Sequence, residues 1–182
     1  TITLNKLPQS VSFEAPVAKQ YGDAPFAVSA SASSGLPVTI SVLSGPGLIQ
    51  GGTVSLVGAG SLVLRARQPG SVTLMPVTVD RTVVVSPRAL TVSGLAALDK
   101  TYDGTAVVSI TGTPVLTGIL AGDTVSLSSE PSGLFETALV GSAKAVFITG
   151  LALGGSAAER YVLTAPTGIK ASVTPRQVTV SG

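Results

Sequence analysis

The segment PRALTVSG at residues 87–94 is written again, with two changes, as PRQVTVSG at residues 175–182, and 88 residues separate Pro87 from Pro175. A chain that returns to its own wording after such an interval builds the second stretch as it built the first, so repetition constrains the fold more than any local pattern does. A second echo supports the same division. KQYGD at 19–23 is matched by KTYDG at 100–104, with 81 residues between Tyr21 and Tyr102. The period is that of one small β-sandwich. The expected organisation is a first unit at 1–86, a second at 87–175, and residues 176–182 as the first strand of a following repeat.

Within each unit the vocabulary is that of short strands: Val, Leu, Ile, Thr and Ser, broken by Gly and Pro. In the first unit strands are expected at 26–31, 38–43, 53–57, 62–67, 72–77 and 82–85, with turns at 44–47, 51–52, 58–60 and 68–70 between them. The stretch LVLRAR at 62–67 alternates, which predicts Leu62, Leu64 and Ala66 facing the core and Val63, Arg65 and Arg67 facing out. In the second unit strands are expected at 89–93, 106–111, 124–128, 143–149, 161–164 and 170–173, with at most one helical turn between 153 and 161. At the junction, Val83-Val84-Val85 runs through Ser86-Pro87-Arg88 into Ala89-Leu90 with no flexible Gly/Ser tether. Proline fixes its own φ and biases its predecessor to extended backbone. The fold class predicted is therefore all-β, two tandem Ig-like antiparallel β-sandwich modules joined by a short Pro-containing linker and behaving as a semi-rigid rod.

Composition excludes more than it nominates. The chain has no Cys and no His, which removes disulfides, thiolate metal sites and the Ser-His-Asp and Cys-His catalytic arrangements. The eleven Lys and Arg are scattered rather than clustered, so no nucleic-acid footprint is present. No apolar run approaches the roughly 20 residues needed to span a bilayer as a helix. Glu14, Glu130, Glu136 and Glu159 lie far apart in sequence without flanking aromatics, a poor basis for a glycosidase pair. The Gly-x-Gly at 58–60 lacks the third Gly of a dinucleotide fingerprint. An enzyme is the least expected outcome.

From Lys100 onward the second unit resembles the YDG domain of large bacterial surface and filamentous-haemagglutinin-type proteins, through KTYDGT at 100–105, AGDTV at 121–125, VGSAKAVFITGLAL at 140–153, YVL at 161–163 and VTP at 173–175. The resemblance covers residues 88–175. Where that family usually carries an Asn, this chain has Glu159-Arg160. The first unit resembles the related MBG or bacterial Ig-like repeat, through YGDAPFAVSASASSGLPVT at 21–39 and GGTVSLVGAGSLVLRARQPG at 51–70. The resemblance implies extracellular stalk modules at a bacterial cell surface, Ig-like in fold and without enzymatic activity. No leader peptide is legible at Thr1, so a secretion address is expected from a larger parent.

The residues with some capacity for chemistry are few. Asp99, Asp103 and Asp123 are the candidate ligands of a weak Ca²⁺ site, set against the plainer reading that Asp-Gly and Gly-Asp make turns. Tyr21, Tyr102 and Tyr161 are expected in the core, with hydroxyls bonded to backbone, rather than as glycan platforms. A Lys100 or Lys144 isopeptide link to an Asp is conceivable. No cofactor is required, and the partners expected are neighbouring repeats, with a glycan or cell-surface protein as the alternative. Two functions follow: a structural spacer projecting a distant domain, or an adhesive module using loops at 45–52 and 131–134. The isolated piece is expected to be monomeric, without membrane insertion.

Overall fold

The computed structural model describes residues 5–180. Contacts divide the chain into two compact units, Thr1–Arg88 and Ala89–Gly182. Both are made of short strands and turns, and among the described residues helical geometry is confined to a 3-10 turn at Ala158–Arg160. The protein is all-β.

In the first unit the strands are β1 (Val11–Glu14), β2 (Ala18–Gln20), β3 (Phe26–Ala27), β4 (Ser29–Ala32), β5 (Thr39–Ser44), β6 (Gly47–Gln50), β7 (Thr53–Leu56), β8 (Gly60–Gln68) and β9 (Val77–Ser86). They form a four-stranded sheet ordered β2-β9-β8-β5, a three-stranded sheet β3-β7-β6 and the pair β1-β4. Alternation along β8 drives Leu62, Leu64 and Ala66 inward, all fully buried, as the sequence predicts, and Val83 and Val85 of β9 join them. Each of these Leu and Val side chains contributes about 1.5–3 kcal/mol of burial. Gln68 continues the inward row and is buried as well; its carboxamide oxygen accepts from Gln9 Nε2 at 2.8 Å and from the Gly70 N–H.

Several expectations need correction here. The stretch read as a turn at 44–47 and as a loop at 45–52 contains β6, because Gly47 is a packing glycine: a Cβ there would stand 2.7 Å from Leu62 Cδ1 of β8. That closeness is how the three-stranded sheet lies against the four-stranded one, an arrangement consistent with a β-sandwich. Residues 72–76 of the strand expected at 72–77 form no strand, and Val77 begins β9. Ser71 Oγ accepts from the N–H groups of Thr73 and Leu74, Pro76 has no N–H to give, and Leu74 makes only an isolated bridge with Leu7. β9 instead runs unbroken through Asp80 and Arg81, since Asp80 stands in register with Arg65 and pairs with it at 2.8 Å.

In the second unit the strands are β10 (Arg88–Ser93), β11 (Ala96–Ala97), β12 (Lys100–Thr101), β13 (Val107–Val108), β14 (Ile110–Thr111), β15 (Val115–Thr117), β16 (Ser126–Leu127), β17 (Ser132–Phe135), β18 (Gly141–Thr149), β19 (Leu153–Gly154), β20 (Tyr161–Thr164) and β21 (Lys170–Thr174). A five-stranded sheet is ordered β12-β21-β18-β17-β13, a three-stranded one β15-β10-β20, and two pairs are β11-β14 and β16-β19. Val108, Phe135, Val146, Ile148, Ala171 and Val173 make the core, with Leu95, Ala97, Ile110 and Ile169 packed on it. Residues 131–134, expected as a loop, lie largely in β17. Gly133 is again a packing glycine, its Cβ position 2.5 Å from Ile110 Cδ1. The stretch 153–161, which allowed at most one helical turn, holds the 3-10 turn. Residues 176–180, within the segment expected to be the first strand of a following repeat, carry no regular element, and 181–182 lie outside the described residues.

Candidate functional site

The two sequence echoes occupy equivalent places. In the first unit β2 runs parallel to β9, with Lys19 opposite Val85 and Gln20 opposite Ser86. In the second, β12 runs parallel to β21, with Lys100 opposite Val173 and Thr101 opposite Thr174. Each pair is closed by the following tyrosine: Tyr21 N–H donates to Ser86 O at 2.9 Å, and Tyr102 N–H to Thr174 O at 2.8 Å. Ser86 and Thr174 are the residues before Pro87 and Pro175, and both hydroxyls donate back to the lysine carbonyl, at 3.2 Å to Lys19 O and 3.3 Å to Lys100 O. Sequence reading singled out the prolines and tyrosines but missed these hydroxyls; a small hydroxyl residue before each repeated proline was the available signal.

Lys100 then does something specific to its unit. Its side chain is mostly covered. Its Nζ donates to Val107 O at 2.8 Å and to Thr105 O and Oγ1 at 3.0 Å, and pairs with Asp103 Oδ1 at 2.7 Å. Since β12 and β13 are the two edges of the five-stranded sheet, this ammonium joins one edge to the other and occupies carbonyls that an open edge would offer to another strand. Leu98 N–H takes the next one, Ser109 O, at 3.0 Å. Asp103 is held by the same group, with Thr105 N–H and Oγ1 donating to it at 2.9 Å. The Lys100 hydrogen bond, with those from Thr105, lowers the Asp103 carboxyl to about 2. Lys144 makes a similar clasp on Thr137 O, Thr137 Oγ1 and Leu139 O.

A second cluster gathers around Asp123, whose side chain is almost fully buried. It accepts from Arg160 Nη1 at 2.7 Å and from the Tyr161 hydroxyl at 2.5 Å, and that hydroxyl accepts from Leu120 N–H at 3.0 Å. The turn that carries Glu159-Arg160 thus ties the β20 entry to the 120–123 turn.

The proposed metal ligands are therefore separated in their work. Asp99 and Asp103 line one recess of about 460 Å³ with Lys100, Thr105 and Val107, but Asp99 Oδ1 accepts from Ser172 N–H at 2.6 Å. Asp123 belongs to the Arg160 and Tyr161 cluster. Among the described residues no three carboxylates come together in a way that would hold a metal ion. Tyr21 and Tyr161 are buried, whereas Tyr102 is 39 % exposed, which corrects the expectation for that residue: after β12 the chain turns at Asp103-Gly104 and its ring lies over the surface. Of the conceivable isopeptide lysines, Lys100 faces a carboxylate only three residues away, and the contacts of Lys144 given above are with Thr137 and Leu139. Glu14, Glu130, Glu136 and Glu159 are all exposed on different elements. No helix among the described residues is long and apolar enough to cross a membrane.

Compared with known families, residues 86–168 match the YDG domain. The match takes in the Lys100–Thr105 corner, the Asp123 turn and Tyr161, and stops short of β21. No curated protein is matched by the sequence.

Proposed function

We propose that this chain is a pair of structural stalk units from a large secreted bacterial surface protein, an adhesin-like parent whose repeats project a distant functional domain. In this reading both units are Ig-like modules, residues 1–86 are an MBG-type repeat, the chain is non-enzymatic, and its natural partners are neighbouring repeats. It needs no nucleic acid, no membrane insertion and no cofactor. One observation carries the reading: each unit pins an early strand to its last strand, and the residue that closes this pairing is followed at once by the Pro-Arg that opens the next repeat copy. Such a unit is self-contained and hands the chain on without slack, which suits an array in which each element adds length. The polar corners support it too, because their charges and hydroxyls are engaged with one another and with backbone.

The adhesive alternative has one observation in its favour. Val107, Leu134 and Phe147 stand in register across β13, β17 and β18 and are 57, 38 and 57 % exposed, an apolar row on the outer face of a sheet. The two readings part in one experiment. In the parent protein, removing or duplicating one 88-residue period changes the reach of whatever lies beyond it if these are stalk units, while Phe147→Ser leaves cell attachment unchanged. Attachment that is lost with Phe147→Ser and indifferent to the number of periods would establish the adhesive module instead.

A further inference from the structure

We propose that the parallel pairs β2 with β9 and β12 with β21 are mechanical clamps, the places where each unit resists tension along the chain. Strand direction decides how such a pair is loaded. In a parallel pair the early strand is entered at the end opposite to the one where the last strand leaves. Tension on the two ends of a unit therefore pulls β2 toward Val17 and β9 toward Pro87, so the strands are asked to slide past each other. All rungs between them are then loaded together. In an antiparallel hairpin pulled at its open end, by contrast, the rungs break one after another.

The first clamp comprises the register pairs Ala18 with Val84, Lys19 with Val85 and Gln20 with Ser86. It is extended at both ends, by Val84 N–H to Val17 O at 3.0 Å and Tyr21 N–H to Ser86 O at 2.9 Å. Side chains add rungs where tension leaves the unit: Ser86 Oγ to Lys19 O at 3.2 Å and Gln20 Nε2 to Pro87 O at 3.3 Å. The second clamp is shorter in backbone, with Lys100 opposite Val173 and Thr101 opposite Thr174. It is lengthened by Tyr102 N–H to Thr174 O at 2.8 Å, Thr174 Oγ1 to Lys100 O at 3.3 Å and Ser172 N–H to Asp99 at 2.6 Å. Both clamps lie on the sheet that holds most of their unit's buried aliphatic side chains. Upstream strands β1 and β10 carry buried side chains of their own, Phe13 on the first and Leu90 and Val92 on the second, and once those strands are drawn off the clamps are the pairs that must slide. The biological use of a clamp rests on the stalk reading; the clamp itself does not.

The absence of native Cys makes the test direct. Two double-cysteine variants of the whole chain are pulled by single-molecule force spectroscopy at one loading rate. Val17→Cys with Pro87→Cys places handles at opposite ends of the first clamp and loads it in shear. Ala24→Cys with Pro87→Cys places both handles beyond its Gln20–Ser86 end and peels it. All three positions are exposed. Because several hydrogen bonds share the force in the first geometry and one bears it in the second, the shear variant is expected to rupture at about twofold higher force or more. Ser86→Ala lowers the shear force and leaves the peeling force nearly unchanged. Equal forces in the two geometries, with both variants folded by circular dichroism and thermal melt, overturn the clamp. That result would leave the stalk reading to be decided by the period-number experiment, which does not depend on rupture force.

Discussion

The two corners share a path and differ in what their lysine and tyrosine do. In the first unit Tyr21 is buried and Lys19 Nζ sits 5.2 Å from the centroid of the Phe26 ring on β3. In the second, Tyr102 lies at the surface and Lys100 grips carbonyls of β13 and the preceding loop. In both, the lysine leaves a strand paired to the unit's last strand and reaches the next strand of the fold, through an aromatic face in one case and through oxygen atoms in the other. The unit with a buried ring has its corner fixed by packing and needs only a weak cation–π contact. The unit whose ring is outside has its corner fixed by an ammonium. The same chain path is thus held by two different forces, and substitutions should separate them.

The largest effect expected is at the tyrosines. Tyr21→Ala removes a buried ring and should cost the first unit about 3–5 kcal/mol, whereas Tyr102→Ala should cost the second unit about 1 kcal/mol or less. Hydrogen exchange read peptide by peptide, alongside urea unfolding, assigns each loss to its unit. Equal losses at the two positions would break the comparison. The lysines reverse the order. Lys100→Met takes the ammonium donor from Val107 O and Thr105 O and leaves the Asp103 carboxylate with Thr105 alone, and should cost about 1–3 kcal/mol, while Lys19→Met should cost about 0.5–1 kcal/mol. Faster exchange at residues 103–108 in the Lys100 variant would place the damage at the sheet edge.

Acid sharpens the same contrast. The Asp103 carboxyl is lowered to about 2 by the Lys100 hydrogen bond and those from Thr105, against an unfolded value of about 4. Between those values the unfolded chain binds more protons than the folded one, so stability rises with pH there. The contribution is complete above about pH 4 and is lost as pH falls toward about 2. In the first unit Asp80 is also lowered, by its hydrogen bond to Arg65, so a shallower dependence of the same sign is expected. Both groups are well exposed, and salt should flatten both slopes. Asp103→Asn should remove the steeper slope from the second unit and leave the first unit's intact, as thermal melts from pH 2 to 5 would show.

How much of this was legible beforehand follows from which forces write themselves into sequence. The all-β class, the inward row Leu62, Leu64 and Ala66, and the equivalence of Lys19-Gln20-Tyr21 with Lys100-Thr101-Tyr102 could be read because alternation and repetition are local patterns. β6 and β17 were hidden because Gly47 and Gly133 look like turn residues, and only the opposite sheet shows that they sit where no Cβ fits. Asp80-Arg81 fall between the expected strands 72–77 and 82–85 because the partner that makes a charge welcome in mid-strand, Arg65, is fifteen residues away. Tyr102 was misplaced because Asp103-Gly104 stands where the first unit has Gly22-Asp23, and that exchange of order alters the turn that aims the ring. The lysine clasps were invisible for a related reason: four oxygens converge on Lys100 only after a sheet has brought its two edges together.

That convergence also decides the smallest effect. A cation that stiffened the second corner would need the oxygens of Asp99 and Asp103, yet Asp99 is committed to Ser172 N–H and Asp103 to Lys100 and Thr105. The position a Ca²⁺ would take between Asp103, Thr105 and Val107 already holds a positive charge, the ammonium of Lys100. Entry of a divalent ion would have to expel that group while repelling it, and six to eight oxygens are not assembled to repay the loss of water. Millimolar Ca²⁺ and a chelator are therefore expected to give the same melting temperature for both units. A rise with Ca²⁺ confined to the second unit would mean that its corner is organised around a metal rather than around its lysine, and the contrast with the first unit would have to be redrawn on that basis.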